Sequence, residues 1–517
     1  LKEKKMAHKN IQNFIILVSI SSAIIGCKKP SNSDENLDEK SIKNENAKIL
    51  SIKWNSCDKT IEDHKLKIKK TVKFECGKMD VPLNWDNPNG ENITISLLRS
   101  KATDPQNRIG SLIVNPGGPG GSSLNLAKDL YNINALQSKF DIIGVDPRGV
   151  GDSTPIKCPI SSSFDITFPN NEAEFQSVLQ SSQKLYESCL KETGEFINHI
   201  DTVSVAHDIE AVRKALNEEK LNFWGFSYGT YIASKYAELY PNNSRALVLD
   251  SVTDYSQSLL EHLKTNAKEA HKVLNEFVNY NKNNPSSELH NKDIIKIILD
   301  TKTKLNQNPI KYTNPSTNVK EDFTGDIFLI SIYQLLYLNE KDWLNIAQAI
   351  HKLQNNDLKT LINLVEQNSS DINISQTITV NCLDYPSSSI QTWSEYSSIM
   401  EEFKKESPIF GKNIASWFFL NKCLGWKNIK NISAKPLNIK IKQPVLIVST
   451  ANDIATPLKW AEFVKLQIPG SFLLYYEGSG HGAYNSDVSG CIYHVVNNFF
   501  LEKKLPSENS YCLKSKF

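Results

Sequence analysis

The 517-residue sequence carries almost no net charge: 59 Lys and Arg stand against 57 Asp and Glu, a formal +2. Within the first 26 residues Lys2, Lys4, Lys5 and Lys9 outweigh Glu3 by three, so a chain starting at Cys27 would carry −1. That balance argues against nucleic acid or any other polyanion as a partner. No Cys-x-x-Cys pair with partnering histidines occurs, so no metal site is expected. The glycine-rich stretch Asn115 to Ser122 has neither the Lys-Ser/Thr of a phosphate-binding loop nor Gly-x-Gly-x-x-Gly with a following acidic residue, which weighs against nucleotide binding. No internal repeat of fixed period is present. What remains is the composition of an ordinary soluble globular protein, 40% hydrophobic and 22% charged, long enough for two domains or for one large domain with an insertion.

The N-terminus differs from the rest. Residues 1–9 are basic, and the uncharged stretch Asn10 to Cys27 has an apolar core in Phe14-Ile15-Ile16-Leu17-Val18, Ile20 and Ala23-Ile24-Ile25. A basic segment followed by an apolar one too short and polar for a membrane span reads as an export signal over 1–26, with an uncleaved anchor as the alternative. Ile24-Ile25-Gly26-Cys27 resembles the lipobox of bacterial lipoproteins. The resemblance implies that Cys27 is lipidated, becomes the mature N-terminus and ties the protein to a membrane at the cell envelope. Residues 27–48 are polar and charged, with too little apolar surface to order themselves, and read as a tether.

Cysteine usage points to export independently. Apart from Cys27 there are eight: Cys57, Cys76, Cys158, Cys189, Cys382, Cys423, Cys491 and Cys512. An even set suits four disulfides outside the cytoplasm, and joining neighbours in sequence is the simplest of the 105 possible pairings.

From residue 49 to 253 short apolar runs alternate with helical patterns. Ile93 to Leu98, Gly110 to Val114, Phe140 to Val145, Leu221 to Gly225 and Arg245 to Asp250 read as strands. Thr202 is placed to cap a helix whose apolar face holds Val205, Ile209, Val212 and Leu216. This is the signature of a parallel sheet in an α/β fold. Residues 254–435 are dominated by helical patterns and read as an inserted helical cap. The sheet resumes over 436–517 with Pro444 to Thr450 and Phe472 to Tyr476. Arg148, in Asp146-Pro147-Arg148-Gly149, is read as structural and paired with a nearby carboxylate.

The chain is organised around Leu221-Asn222-Phe223-Trp224-Gly225-Phe226-Ser227-Tyr228-Gly229-Thr230. A serine hydroxyl is a weak nucleophile unless it is held exposed beside a base, and a strand–turn–helix with Gly-x-Ser-x-Gly does this. The competing reading is an ordinary tight turn. In α/β-hydrolases an acid and then a histidine follow the serine, each at a strand end. The two late strands run into Asn452-Asp453 and Gly480-His481-Gly482, which gives Ser227, Asp453 and His481 in that order. Asp250 and Asp254, beyond the strand after the elbow, are the rival acids. The oxyanion hole is expected from the backbone N–H groups of Tyr228 and of Gly118 in the glycine loop.

Together, Asn115 to Ser122, Asp146 to Ser153, Gly225 to Thr230, Asn452-Asp453 with Thr456-Pro457, Gly480 to Gly482, Val81 to Trp85 and Asn381 to Asp384 resemble the secreted tripeptidyl aminopeptidases. Those belong to the prolyl aminopeptidase group of α/β-hydrolases. The resemblance covers roughly residues 50 to 515 and implies an α/β-hydrolase fold, a mostly parallel sheet flanked by helices with a helical cap. It also implies an exopeptidase that takes short peptides from free N-termini without a cofactor. Pro116 stands where the prolyl branch carries His, as in the tripeptidyl branch, so proline preference is less supported than general aminopeptidase action. Asp384 is a candidate to receive the substrate ammonium, against a helix cap or a surface charge. A carboxylesterase using the same site and a non-catalytic envelope binding protein are the rival functions.

Overall fold

The computed structural model describes residues 50–63, 68–130, 134–158, 168–314, 318–368, 372–385, 390–411, 420–426, 435–507 and 510–514. The export signal at 1–26, the tether at 27–48 and Cys27 lie outside the described residues.

In chain order the strands are β1 (Lys53–Ser56), β2 (Lys59–Asp63), β3 (Ile68–Val72), β4 (Glu75–Pro82), β5 (Asn92–Ser100), β6 (Gly110–Asn115) and β7 (Phe140–Val145). They continue with β8 (Leu221–Phe226), β9 (Ser244–Asp250), β10 (Ile310–Thr313), β11 (Lys320–Phe323), β12 (Val445–Asn452), β13 (Phe472–Ser479) and β14 (Tyr511–Cys512). Ten form one sheet in the order β1-β4-β5-β7-β6-β8-β9-β12-β13-β14. The β1–β4, β4–β5 and β5–β7 pairs are antiparallel, and every pair from β7 to β14 is parallel. β2–β3 and β10–β11 are separate antiparallel hairpins.

The near-continuous apolar runs of the central strands follow from burial on both faces. Side chains alternate across the sheet. Ile113, Ile143, Phe223, Leu247 and Ile447 join one core, covered by the helices Thr202–Ala215, Gly229–Leu239 and Leu458–Gln467. Leu112, Ile142, Trp224, Val248 and Leu446 join the other, beneath Ser123–Asp129 and Gly490–Glu502. The result is a mostly parallel sheet between helical layers, an α/β-hydrolase fold with a large helical insertion.

That insertion lies between β9 and β12. Its helices Leu259–Asn283, Ile294–Gln307, Gly325–Leu335, Trp343–Gln354 and Trp393–Glu406 enclose a third apolar core around Phe277, Tyr333, Trp343 and Ile350. Three features depart from the sequence reading. The β10–β11 hairpin sits within a segment expected to be helical, and the third core also takes Phe168, Phe175 and Val178 from the segment ahead of the elbow. The helix cap is one residue earlier than expected. Asp201, not Thr202, accepts from Ser204 N at 3.1 Å, because an aspartate directly before the helix reaches the free N–H groups of its first turn.

Four disulfides join Cys57–Cys76, Cys158–Cys189, Cys382–Cys423 and Cys491–Cys512, each cysteine with its neighbour in sequence. Arg148 is fully buried and bidentate on Asp208, with Nε to Oδ2 at 2.7 Å and Nη2 to Oδ1 at 2.6 Å. Its remaining donors reach the carbonyls of Pro82, Leu83 and His199. The structural reading of this arginine holds: a buried guanidinium with all its donors satisfied is a scaffold.

Candidate active site

β8 ends at Phe226, and the helix Gly229–Leu239 begins two residues later, so Ser227 lies on the turn between them. Its φ is +56°, a left-handed conformation that a non-glycine residue holds only at a cost of about 1–3 kcal/mol. The turn is fixed by Ser227 N donating to Asp250 O at 2.9 Å and by Thr230 Oγ1 donating to Ser227 O at 2.6 Å. Gly225 is required because a side chain there would run into the backbone of Gly229. The sharp turn leaves Ser227 half-buried at the carboxyl edge of the parallel sheet, the end at which open α/β sheets bind ligands.

Asp453 follows β12, and His481 follows β13. His481 Nδ1 lies 2.9 Å from Asp453 Oδ2 and 3.1 Å from Oδ1. Asp453 is 0% exposed and also accepts from Ala455 N at 2.9 Å, Thr456 N at 3.0 Å and Thr456 Oγ1 at 2.7 Å. These donors fix the orientation of the carboxylate. A carboxylate on Nδ1 fixes the tautomer that leaves Nε2 free as an acceptor. The imidazole meets the elbow through Phe226, whose ring lies 4.7 Å from it between centroids.

Of the rival acids, Asp254 accepts from Ser256 N and Gln257 Nε2 and belongs to a turn. Asp250 is 1% exposed. Burial pushes its carboxyl up to about 7, although His481 draws it down. The acid paired with the imidazole is therefore Asp453.

The glycine loop lies against the elbow. A Cβ on Gly117, whose φ is +80°, would come within 2.7 Å of Tyr228 N. Tyr228 opens the helix Gly229–Leu239, and the first N–H groups of a helix have no intrahelical acceptor. Gly117 thus packs directly on the backbone of the turn that carries Ser227.

Asp384, the candidate for the substrate ammonium, lies where the insertion meets the core. It ends the helix Ile374–Asp384 of the insertion and is 6% exposed. Oδ1 accepts from Thr202 N at 2.9 Å, while Oδ2 accepts from Thr202 Oγ1 at 2.5 Å and Tyr228 Oη at 3.2 Å. Burial, with Asp201 nearby, pushes its carboxyl up to about 7. Both oxygens accept bonds within the protein, so Asp384 bridges insertion and core.

Sequence reasoning assigned no role to Thr456, which donates to Asp453 and has its Oγ1 3.3 Å from His481 Nδ1. The Asp-x-x-Thr spacing was the available signal, since a hydroxyl three residues on can turn back to the carboxylate. Among the described residues no group of three or more His, Cys, Asp and Glu could hold a metal ion, and no helix is long and apolar enough to cross a membrane.

The fold and this arrangement define a class, and comparison agrees with it. The α/β hydrolase fold family matches residues 110–487, and the chain belongs to that family as a serine-hydrolase-type enzyme. It is 28% identical over 467 residues to the tripeptidyl aminopeptidase of Streptomyces lividans, covering 85% of this chain and 83% of that one. It is 26% identical over 474 residues to the serine protease Hip1 of Mycobacterium tuberculosis, covering 84% and 87%. It is also 27% identical over 485 residues to carboxylesterase B of Mycobacterium tuberculosis, covering 89% of each.

Proposed function

We propose that the protein hydrolyses carboxylic ester and peptide bonds through an acyl-enzyme, with Ser227 as nucleophile, His481 as general base and acid, and Asp453 orienting His481. The observation that carries this is the pairing of Asp453 with His481 Nδ1 beside a serine on a left-handed turn. The proposal adds one contact to those observed, Ser227 Oγ to His481 Nε2, which tightens when substrate binds. Tyr228 N–H and Gly118 N–H then receive the oxyanion; one such donor contributes about 3–4 kcal/mol to the barrier. No cofactor takes part.

Ester cleavage is the reaction this site supports without further parts. An exopeptidase must also hold a substrate ammonium, and the carboxylate expected for it, Asp384, is committed elsewhere. The aminopeptidase reading draws its support from the Streptomyces lividans relative, a tripeptidyl aminopeptidase, and peptide-bond cleavage more generally from the Mycobacterium tuberculosis serine protease. A panel of p-nitrophenyl esters and tripeptide amides separates the two. Fast ester turnover with slow amide turnover supports the esterase, and comparable or faster amide turnover supports the peptidase. Binding without turnover of either class would return the chain to an envelope binding role.

Export is supported by the four disulfides, which persist in oxidising compartments. In this reading Cys27 carries the lipid that anchors the protein to a membrane at the cell envelope. Cys27→Ala should abolish membrane partitioning, and unchanged partitioning with unchanged mature mass would reject the anchor.

A further inference from the structure

The helix Ile374–Asp384 touches Tyr228 and the glycine loop that carries Gly118, the two sources of the proposed oxyanion hole. Near its start, Thr377 Oγ1 donates to Pro119 O at 2.6 Å, and a Cβ on Gly120 would press on Asn373 O at 3.0 Å. At its end, Asp384 accepts from the Tyr228 hydroxyl at 3.2 Å. Thr202 completes the group: its hydroxyl bonds to Tyr228 Oη and donates to Asp384, and its N–H donates to the other carboxylate oxygen. All three side chains are buried, and the groups come from three separate elements. Cys382, two residues before Asp384, is bonded to Cys423, which holds this end of the helix to the rest of the insertion.

Tyr228 directly follows the nucleophile. Its backbone N–H is one oxyanion donor, and its side chain is clamped at the far end of the ring. A tyrosine side chain has only two torsions, so fixing its tip while its backbone opens a helix limits how far the residue's Cα and N–H can shift. A tyrosine free to swing would leave that N–H to the helix turn alone. Oxyanion stabilisation requires donors held in place before the charge develops.

From this geometry we infer that Asp384 and Thr202 are positioning residues of the oxyanion hole, acting through the Tyr228 hydroxyl. The inference rests on the hydrolase reading of Ser227. It assigns the helix Ile374–Asp384 a part in the chemical step rather than in choice of substrate. Misdirecting a catalytic group by about 1 Å costs on the order of a hundredfold in rate. Loosening the clamp should therefore lower kcat by about ten- to a hundredfold and leave KM nearly unchanged.

The test is steady-state kinetics of the full chain on one ester, one free-amine peptide amide and its N-acetylated form. The variants are Asp384→Asn, Tyr228→Phe, Thr202→Val and Thr202→Ser. The inference expects kcat to fall by similar factors on every substrate that turns over for the first three variants, with Thr202→Ser close to the parent. Tyr228→Phe removes one hydroxyl and keeps the backbone N–H, so it carries the test should Asp384→Asn not fold. Unchanged kcat in Tyr228→Phe would overturn the inference. So would a loss confined to the free-amine substrate, which would give Asp384 the ammonium after all. Ser227→Ala in the same panel keeps the two claims apart. Residual parental turnover there would sink the hydrolase assignment, whereas its loss beside fully active Tyr228→Phe would sink only the clamp.

Discussion

The carbonyl of Tyr337, in the helical insertion, accepts the backbone N–H of His481 at 2.8 Å. The insertion therefore holds the loop that carries the imidazole. It holds the acid loop as well: Asn266 Nδ2 donates to Ile454 O at 2.8 Å, and Tyr333 Oη donates to the same carbonyl at 3.3 Å. An insertion bonded to both loops serves as their scaffold. Asn266→Ala should cost about 1–3 kcal/mol, the range for an unmade buried hydrogen bond. Because Ile454 adjoins Asp453, kcat should drop along with stability. Urea unfolding and ester kinetics on the same preparation check both, and a loss of stability without loss of kcat would show that the acid loop holds its own shape.

Asp453→Asn should keep the loop and lose the chemistry. An amide offers the imidazole a donor or a weaker acceptor and disturbs the tautomer that frees Nε2, a change that costs about 10⁴ in kcat in a serine protease triad. If Asp250→Asn produced that loss and Asp453→Asn did not, the acid would sit at the end of β9 and not of β12.

Much of this arrangement was legible in the sequence, for physical reasons. Parallel strands buried on both faces must be apolar throughout, so Leu112-Ile113-Val114 and Leu446-Ile447-Val448 declare themselves. Ser227, Asp453 and His481 each follow such a run, so their order carries the topology. The β10–β11 hairpin was not legible, since its strands are four residues each among lysines and asparagines, too short for alternation to show. The group around Tyr228 was hidden for a different reason. Asp384 meets partners 182 and 156 residues away, and no local spacing encodes such a contact. Thr202 was noticed as a cap, but its hydroxyl is spent on Asp384 and Tyr228 while Asp201 caps the helix.

Asp250 gives a pH signature. Its carboxyl is pushed up to about 7 by burial, against about 3.9 for an aspartate in an unfolded chain. The folded state keeps this proton where the unfolded state has lost it, so the stability it contributes is full below about pH 4 and is lost as pH rises towards 7. Asp384 acts in the same direction. Asp250→Asn should therefore lose less stability than the parent between pH 5 and pH 8, by about 2–4 kcal/mol at roughly 1.4 kcal/mol per pKa unit. Urea denaturation at the two pH values reads this directly. Equal losses in parent and variant would mean that Asp250 is ionised in the folded protein.

Blocking the substrate amine separates the two activities of the proposal. If the site takes peptides from a free N-terminus, N-acetylation of a tripeptide amide should remove most turnover, because a charge-assisted contact in a buried pocket contributes about 1.5–3 kcal/mol. Simple esters lack that group and should be unaffected by an added free amine in the assay. Equal kcat/KM on acetylated and free peptides would show that no ammonium is recognised and leave ester and amide hydrolysis as the activity.

The most direct measurement is covalent labelling of Ser227 by a fluorophosphonate, since only an activated serine reacts readily with such an electrophile. One equivalent of probe should attach to the folded protein, peptide mapping should place it on Ser227, and Ser227→Ala should show neither label nor turnover while keeping the parent's unfolding curve. Equal labelling of Ser227→Ala, or parental turnover in that variant, would contradict the assignment of this elbow as the catalytic site.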